Sequence, residues 1–315
     1  VCVCVCVSAQ AARATMSASP SESSLNQRVG ATTTTGNNNN NSNNGPSGAG
    51  DEQKSATAAA DQVAIITGSA SGIGRGTALA FAALNYRLVL VDKNVERLAE
   101  TAELCRQKSP KGHQPLELSL DISTGEHVAK EVIKATLDKW GQLDTLINNA
   151  GITALTKYDD PNCVDHYHRI IATNMHAVVY LCLAAFEPLK ESRGSIVNVS
   201  SMLDDKPAKF KFAYCMSKAA VTMLTKCLAN DFGPYVRVNS VSPGPVASSI
   251  LDDMGINLSE RETNAKSTTL VGRIGKPEEI AKMIIHLASK DKSAFITGSR
   301  VLIDGGYTIR PSGID

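Results

Sequence analysis

Short apolar runs alternate with longer segments of helical period along the chain from residue 62 onward. The runs are rich in Val and Ile and lie at 63–67, 87–91, 116–120, 143–148, 195–200, 236–242 and 300–304. Amphipathic segments separate them, as at 74–85, 95–108, 127–140 and 218–233. Strands that alternate with helices predict βαβ units and a parallel sheet with right-handed crossovers. Because the runs are apolar on both faces, helices are expected on both sides of the sheet. The pattern predicts an α/β protein with a doubly wound, mostly parallel sheet of the Rossmann type.

The first 60 residues lack this pattern. From Ser17 to Ala60 the chain is mostly Ser, Thr, Asn, Gly and Ala, a composition that cannot bury enough apolar surface to offset the entropy of ordering. We therefore expect a disordered tail at 1–60, a single domain at 61–310 and a short C-terminal tail at 311–315. The opening VCVCVCV is too short for a membrane span and lacks the features of a secretory signal. A translated nucleotide repeat or a truncated gene model explains it best, and a mitochondrial presequence is the alternative.

The overall charge and the cysteine pattern exclude several classes of function. The chain has 32 basic and 31 acidic residues with no block of like charge, which argues against nucleic acid or an anionic membrane as the main partner. Cysteines within 61–310 form no CxxC or Cys/His cluster, so neither a disulfide framework nor a metal site is expected. This composition suits a reducing, cytoplasmic location, with the mitochondrion as the alternative.

A glycine-rich sequence, TGSASGIG at 67–74, follows the first predicted strand and precedes a predicted helix. Gly68 permits a tight turn, Gly72 allows a pyrophosphate to approach the backbone, and Gly74 allows the helix to pack closely on the strand. The helix N-terminus would offer N–H groups to the phosphates, with Ser71 and Ile73 beside them. A plain βα turn is the alternative. The strand before it and the helix after it favour a dinucleotide site.

Two aspartates end the next two predicted strands. Asp92 stands at about the distance beyond the glycines where a carboxylate binds the adenosine ribose, although it could simply cap the following helix. Asp121, with Ile122 after it, stands where an adenine edge could lie, and helix initiation is an almost equal alternative for it. The carboxylate of Asp92 would repel the 2′-phosphate of NADP. Since Lys93 is a flexible counter-charge that can move into solvent, NAD is predicted, with NADP as the alternative.

A hydroxyl, a phenol and an ammonium occur together at Ser201, Tyr214 and Lys218. Tyr214 and Lys218 are four residues apart and therefore share one face of a helix. A tyrosine with an ordinary pKa near 10 is a poor base at neutral pH. A neighbouring ammonium, together with the positive ring of an oxidised nicotinamide, would favour the phenolate and lower that pKa. Taken alone, the pair could be ordinary exposed helix residues.

The order and spacing of six motifs resemble the short-chain dehydrogenase/reductase family over about 62–308. They are TGSASGIG, NNAG at 148–151, Asn174, Ser201, Tyr214-x-x-x-Lys218 and SPGPV at 242–246. The resemblance implies hydride transfer between a nicotinamide cofactor and a secondary alcohol or ketone. It implies that Tyr214 is the acid/base, Lys218 its partner, Ser201 the hydroxyl that holds the substrate oxygen, and Asn174 the seat of a relay water. It also implies a homo-oligomer, and cofactor contacts from Asn149, Ala150, Gly151, Pro243, Gly244, Val246 and Ser248, besides Tyr214 and Lys218.

Several of these residues have structural alternatives. NNAG could be only a strand-end turn, Asn174 a satisfied core amide and Ser248 a helix cap. The charged stretch between Ser201 and Tyr214 is expected to be a solvated loop, with contact to a polar or thioester-bearing substrate as the alternative. The segment 248–270 has the length and polarity of a mobile lid. A non-catalytic dinucleotide-binding regulator and a nucleotide-fold methyltransferase are the rival functions, and neither has a use for Ser201, Tyr214 and Lys218 together.

Overall fold

The computed structural model describes residues 61–248, 250 and 257–309. Within them, seven strands form one sheet in which every pairing is parallel. In chain order the strands are β1 (Val63–Thr67), β2 (Arg87–Asp92), β3 (Leu116–Ser119), β4 (Thr145–Asn148), β5 (Ser195–Val199), β6 (Arg237–Pro243) and β7 (Arg300–Ile303). Their spatial order is β3-β2-β1-β4-β5-β6-β7. The direction of winding reverses between β1 and β4, which is where ligands bind in open α/β sheets.

Helices connect the strands and cover both faces of the sheet. They are α1 (Gly72–Ala83), α2 (Val95–Lys108), α3 (Glu126–Trp140), α4 (Cys163–Ile171), α5 (Ala177–Ala184), α6 (Phe186–Ser192), α7 (Phe212–Phe232), α8 (Leu258–Thr268), α9 (Pro277–Ala288) and α10 (Lys290–Ser293). A π-helical turn, Ala172–His176, joins α4 to α5.

Alternate residues of each strand enter two separate cores. Ile65 of β1 packs with Val132 of α3 and Leu181 of α5 on one face. Ile66 of the same strand packs with Phe81 of α1 on the other face. Because successive side chains of a strand point in opposite directions, a strand that is apolar throughout supplies both cores. This confirms the predicted doubly wound α/β fold.

The predicted strands all form, with ends that shift by at most a few residues. The predicted disordered tail at 1–60, including VCVCVCV, and the C-terminal tail at 311–315 lie outside the described residues. Among the described helices, no single one is long and apolar enough to cross a bilayer. A bent pair, Cys163–Ala184 with Phe186–Ser192, passes that test by length and composition alone.

Candidate active site

A cavity of about 630 Å³ opens at the carboxyl ends of the strands. It extends from the ends of β2 and β3 to the start of α7, and so crosses the position where the strand order reverses. Most of the predicted site residues line it: Gly68, Ser71, Gly72, Ile73, Asp92, Asp121, Ile122, Asn149, Ala150, Gly151, Ser201, Tyr214, Lys218, Pro243, Gly244, Val246 and Ser248. Gly74 and Asn174 are not among its lining residues; instead they contact Gly68 and Ile152, which line it.

The glycine turn has a backbone shape that larger residues would disturb. Gly68 and Gly72 have φ angles of +64° and +51°, in the left-handed region that favours glycine. A Cβ on Gly74 would stand 2.0 Å from the carbonyl oxygen of Gly68, so no side chain fits there. This close approach places the first turn of α1 against the cavity, where helix N–H groups favour an anion such as a pyrophosphate.

Asn149 braces the same turn from the neighbouring strand. Its Nδ2 donates to the carbonyl oxygens of Thr67 at 2.9 Å and Gly68 at 3.1 Å. The Oγ1 of Thr67 in turn accepts from the backbone N–H groups of Asn149 at 3.0 Å and Ala150 at 3.1 Å. The NNAG sequence is therefore more than a strand-end turn, because its amide holds the glycine loop in shape.

Both predicted aspartates line one end of the cavity. Asp92 accepts backbone hydrogen bonds from Ala70 and Asn94 at 3.0 Å each, which fixes its carboxylate at the end of β2. Asp121 caps a short 3₁₀ turn, Ile122–Thr124, by accepting a hydrogen bond from the Ser123 N–H. It therefore initiates a helical turn and also lines the cavity. Burial raises the pKa of Asp121, but the Ser123 hydrogen bonds outweigh burial and the net shift is downward.

Ser201, Tyr214 and Lys218 meet at the other end of the cavity. Ser201 follows β5 and, like Tyr214 on α7, lines the cavity; its hydroxyl is close enough to the Tyr214 phenol to act on the pKa of that phenol. One turn further along α7, the Lys218 Nζ lies 5.8 Å from the centre of the Tyr214 ring and donates to the Val199 carbonyl at 2.8 Å. Tyr214 and Lys218, which are four residues apart, thus lie on one face of α7 and share the cavity with Ser201.

The pKa values of these groups differ from the sequence-based expectation. Burial raises the pKa of Tyr214 to about 12, and the nearby Ser201 hydroxyl opposes that shift. Burial lowers the pKa of Lys218 to about 8, while Asp204 opposes that shift. The expected lowering of the tyrosine pKa is therefore not seen in the protein by itself, because loss of hydration on burial raises that pKa. At neutral pH the phenol carries its proton.

Asn174 is buried within the π-helical turn and positions the loop after β4. Its Oδ1 accepts from the Ile152 N–H at 2.8 Å, and its Nδ2 donates to the Ile152 carbonyl at 2.9 Å and to Ser217 Oγ at 3.1 Å. A Cβ on Gly151 would stand 3.3 Å from Lys218 Nζ and 3.4 Å from Asn174 Oδ1. Asn174 is thus a core amide with all its hydrogen-bonding groups paired, which is the structural alternative, and its Oδ1 and the Lys218 Nζ both border Gly151.

The loop after β6 completes the cavity wall. A Cβ on Gly244 would approach the Cα of Asp304 to 2.6 Å, so glycine is needed where this loop passes the segment after β7. Val246 pairs with Gly275 as an isolated bridge. These contacts hold Pro243, Val246 and Ser248 beside Tyr214 and Lys218.

Asp204 and Arg300 form a buried ion pair behind the site, and the sequence analysis did not predict this pair. The side chain of Asp204 is 1% exposed and that of Arg300 is 24% exposed. Arg300 donates to Asp204 from Nε at 2.8 Å and from Nη2 at 2.5 Å. Thr222 of α7 and Ser242 of β6 donate to the same carboxylate at 2.6 and 2.7 Å. The carboxylate therefore ties α7 to β6 and β7.

The residues of the cavity fit a dinucleotide. The glycine turn presents the start of a helix to phosphates, Asp92 presents a carboxylate suited to ribose hydroxyls, and Gly151 leaves open space beside Lys218. Residues 68–308 match the family described as "Enoyl-(Acyl carrier protein) reductase".

Known proteins of similar sequence and structure are oxidoreductases. The 3-oxoacyl-[acyl-carrier-protein] reductase of Thermotoga maritima is 35% identical over 256 residues, which are 79% of this chain and 98% of that protein. The cyclopentanol dehydrogenase of Comamonas testosteroni is 33% identical over 252 residues, covering 79% of this chain and 97% of that protein. A short-chain dehydrogenase/reductase of unknown function from Caenorhabditis elegans, solved with cofactor, has a TM-score of 0.74 and 32% identity, covering 80% of this chain and 96% of that one. The chain belongs to the short-chain dehydrogenase/reductase family and is an NAD(P)-dependent oxidoreductase of CH–OH and keto groups.

Proposed function

We propose that this protein interconverts a secondary alcohol and a ketone, with Tyr214 as the acid/base, Ser201 as the group that orients the substrate oxygen, and Lys218 as the electrostatic support. The observation that carries the proposal is the meeting of these three side chains at one end of a cavity whose other end has a dinucleotide-binding turn. Hydride transfer is the chemistry that a bound nicotinamide supplies.

In the reducing direction, Tyr214 donates its proton to the substrate oxygen. A phenol with a pKa of about 12 is protonated at neutral pH and is ready for this step. In the oxidising direction the phenolate must form, and Lys218 at 5.8 Å from the ring stabilises it. Ser201 stands near the phenol and can donate a hydrogen bond to the same substrate oxygen, so it fixes the geometry of proton transfer.

Asn174 has a positioning role in this proposal. Because it bonds both backbone groups of Ile152 and the hydroxyl of Ser217, it holds the loop after β4 against α7. A relay water near Asn174 would connect Lys218 to solvent, as the family resemblance implies.

The preferred cofactor in this proposal is NAD. Asp92 is held by two backbone N–H groups at 3.0 Å, so its carboxylate cannot swing away from the ribose. Lys93 lines the cavity next to it but is exposed, and a flexible ammonium offsets less charge than a fixed carboxylate repels.

The ratio of kcat/KM for NAD and NADP tests this cofactor choice. We expect wild type to prefer NAD, and Asp92→Ala to shift the ratio towards NADP. The matched variant Asp121→Ala keeps the backbone contacts of Asp92 and should leave the preference for NAD in place. A wild-type preference for NADP, or an unchanged ratio in Asp92→Ala, contradicts the choice.

A screen of secondary alcohols and ketones, followed by the absorbance of reduced nicotinamide, tests the function itself. Turnover of some member of the panel is expected. A protein that binds the cofactor tightly but turns over no alcohol or ketone would favour the rival reading, a dinucleotide-binding regulator.

We further propose that the protein forms homo-oligomers through α7 and its neighbours. Phe212, Met216 and Met223 lie on one face of α7 and are 44%, 51% and 57% exposed. Val164 of α4 and Leu183 of α5 are also exposed, at 62% and 57%. Large apolar side chains grouped in this way suit a protein–protein contact. Light scattering after gel filtration should give a multiple of the chain mass, and Met216→Lys combined with Met223→Lys should lower it.

A further inference from the structure

One lysine of the charged stretch before α7 differs from its neighbours. Lys206 and Lys209 are exposed and lie 4.8 Å from the Tyr307 ring and 4.9 Å from the Phe210 ring. Lys211 instead is partly buried and lines the same cavity as Tyr214. Within the described part of the chain its ammonium forms no hydrogen bond or ion pair. The prediction of a solvated loop thus fits the first two lysines and not the third.

The backbone around Lys211 holds it at the cavity. Phe210 has a φ of +59°, a strained conformation for a residue with a large side chain. Its carbonyl accepts hydrogen bonds from the backbone N–H of Thr156 at 2.7 Å and from the Thr156 hydroxyl at 3.3 Å. Lys211 is the N-cap residue of α7, three residues before Tyr214, and both side chains line the same cavity. The position of Lys211 is therefore fixed relative to the reacting phenol.

The surroundings of Lys211 favour an anion. Burial lowers its pKa, with the Cys215 thiol opposing the shift, which shows that the ammonium has lost part of its hydration. The described carboxylates that line the cavity, Asp92 and Asp121, lie near the ends of β2 and β3. Since β2 and β5 are three strand spacings apart, Asp92 is about 14 Å from the Ser201 end. A partly dehydrated cation to which the described residues offer no counter-charge gains most from an anionic ligand.

Apolar side chains form part of the cavity lining. Met202 and Leu203 follow Ser201 and line the cavity, as does Ile250, while Thr153, Asn264 and Thr268 add polar groups to the same lining. A phosphate monoester carries close to two negative charges, more than one ammonium balances. A carboxylate matches the single charge of Lys211.

We propose that the substrate is an oxo or hydroxy acid with an apolar body, whose carboxylate pairs with Lys211 while its carbonyl or alcohol carbon stands at Tyr214. This inference rests on the proposed alcohol–ketone function and adds the substrate class to it. Lys211 then selects the substrate and has no part in the proton transfer. No bond to Lys211 forms or breaks in the reaction.

The test compares oxo acids with their uncharged amides. With the full chain and the preferred cofactor, kcat/KM is measured for 4-oxopentanoate, 5-oxohexanoate and 6-oxoheptanoate and for the corresponding primary amides. A charge-assisted hydrogen bond predicts that the best acid exceeds its amide by about 10- to 100-fold. In Lys211→Met this ratio should collapse, mainly through KM for the acid, and Lys211→Arg should recover most of it. Lys209→Met, a charge removal two residues away, is the matched control and should keep the wild-type ratio.

The outcomes separate this inference from the function on which it rests. If wild type turns over simple ketones and uses acids no better than amides, or if Lys211→Met lowers both alike, the substrate class is wrong and the oxidoreductase function stands. If Lys209→Met changes the ratio as much as Lys211→Met, the effect is general surface charge and the assignment to Lys211 is wrong. If no alcohol, ketone or oxo acid is turned over with either cofactor, the proposed function itself fails. Melting temperatures of the three variants within a few degrees of wild type show that the comparison is made on folded protein.

Discussion

Replacing Asp204 with Asn removes the negative charge at the centre of the buried network behind the site. The side chain is 1% exposed and accepts hydrogen bonds from Arg300, Thr222 and Ser242. An amide of the same shape has one acceptor oxygen, and its NH₂ group faces the guanidinium, which can only donate. Arg300 would lose its ionic partner while its side chain is only partly exposed to solvent.

The size of the effect follows from burial. Breaking a buried ion pair on one side costs about 3–5 kcal/mol. Because the Arg300 side chain is still 24% exposed, we expect the lower end, about 3 kcal/mol. In a domain of this size each kcal/mol moves the melting temperature by about 2–4 °C, which gives a drop of about 6–12 °C.

Thermal unfolding followed by circular dichroism measures this drop. Asp205→Asn is the matched control, because it makes the same chemical change at an exposed neighbouring residue and should shift the melting temperature by no more than about 2 °C. The double variant Asp204→Asn with Arg300→Met should be less destabilised than the sum of the single changes. If Asp204→Asn melts within 2 °C of Asp205→Asn (about the shift that 1 kcal/mol gives), the reasoning about the buried pair is refuted.

Three further predictions concern the cofactor end of the cavity and Lys218. Gly74→Ala should abolish cofactor binding in a fluorescence titration with the reduced nicotinamide, since its Cβ would stand 2.0 Å from the Gly68 oxygen; a dissociation constant near that of wild type contradicts the packing argument. Asn149→Ala removes two hydrogen bonds to the glycine turn and should lower the free energy of unfolding by about 1–3 kcal/mol, as measured with urea. The pKa of Lys218 is lowered to about 8 by burial, so between pH 8 and 10 this lysine binds more protons in the unfolded chain than in the folded one, and its contribution to stability grows as pH rises. The buried thiols of Cys105 and Cys182, whose pKa values are raised to about 12, act in the opposite sense in wild type and in Lys218→Met alike. The free energy of unfolding of wild type should therefore rise relative to that of Lys218→Met over this range, and urea curves that stay parallel for the two proteins would rule the prediction out.

The strands of the sheet could be predicted from the sequence because their signal is local. A run such as VAIIT carries its own periodicity, and the structure places β1 at Val63–Thr67 as expected. Helix α8 was missed, although Asn257 with Glu260 three residues later is a helix-start signal. Asn257 accepts from the Glu260 N–H at 2.9 Å in the structure. The sequence analysis treated 248–270 as a mobile lid and so overlooked this helix-start signal. The mobility of the segment stays a prediction.

The properties that depend on distant contacts could not be predicted in this way. Asp204 looked like one charge of a solvated loop, because its partner Arg300 lies 96 residues further along the chain. Lys211 looked the same as Lys209, and only the folded loop shows that one lines the cavity and the other does not. The pKa of Tyr214 also depends on burial, which the spacing of Tyr214 and Lys218 does not reveal. Residue types and order therefore predicted the members of the site, and long-range packing decided their electrostatics.

The central claim is that Tyr214 moves the proton. Tyr214→Phe tests it most directly, because the change keeps the ring and its packing and removes only the hydroxyl. On the best substrate from the screen, kcat should fall by at least the ~10²–10⁴-fold typical of a lost general acid/base, while the dissociation constant of the reduced cofactor stays within about twofold of wild type. A Tyr214→Phe protein that retains the wild-type kcat would contradict the claim.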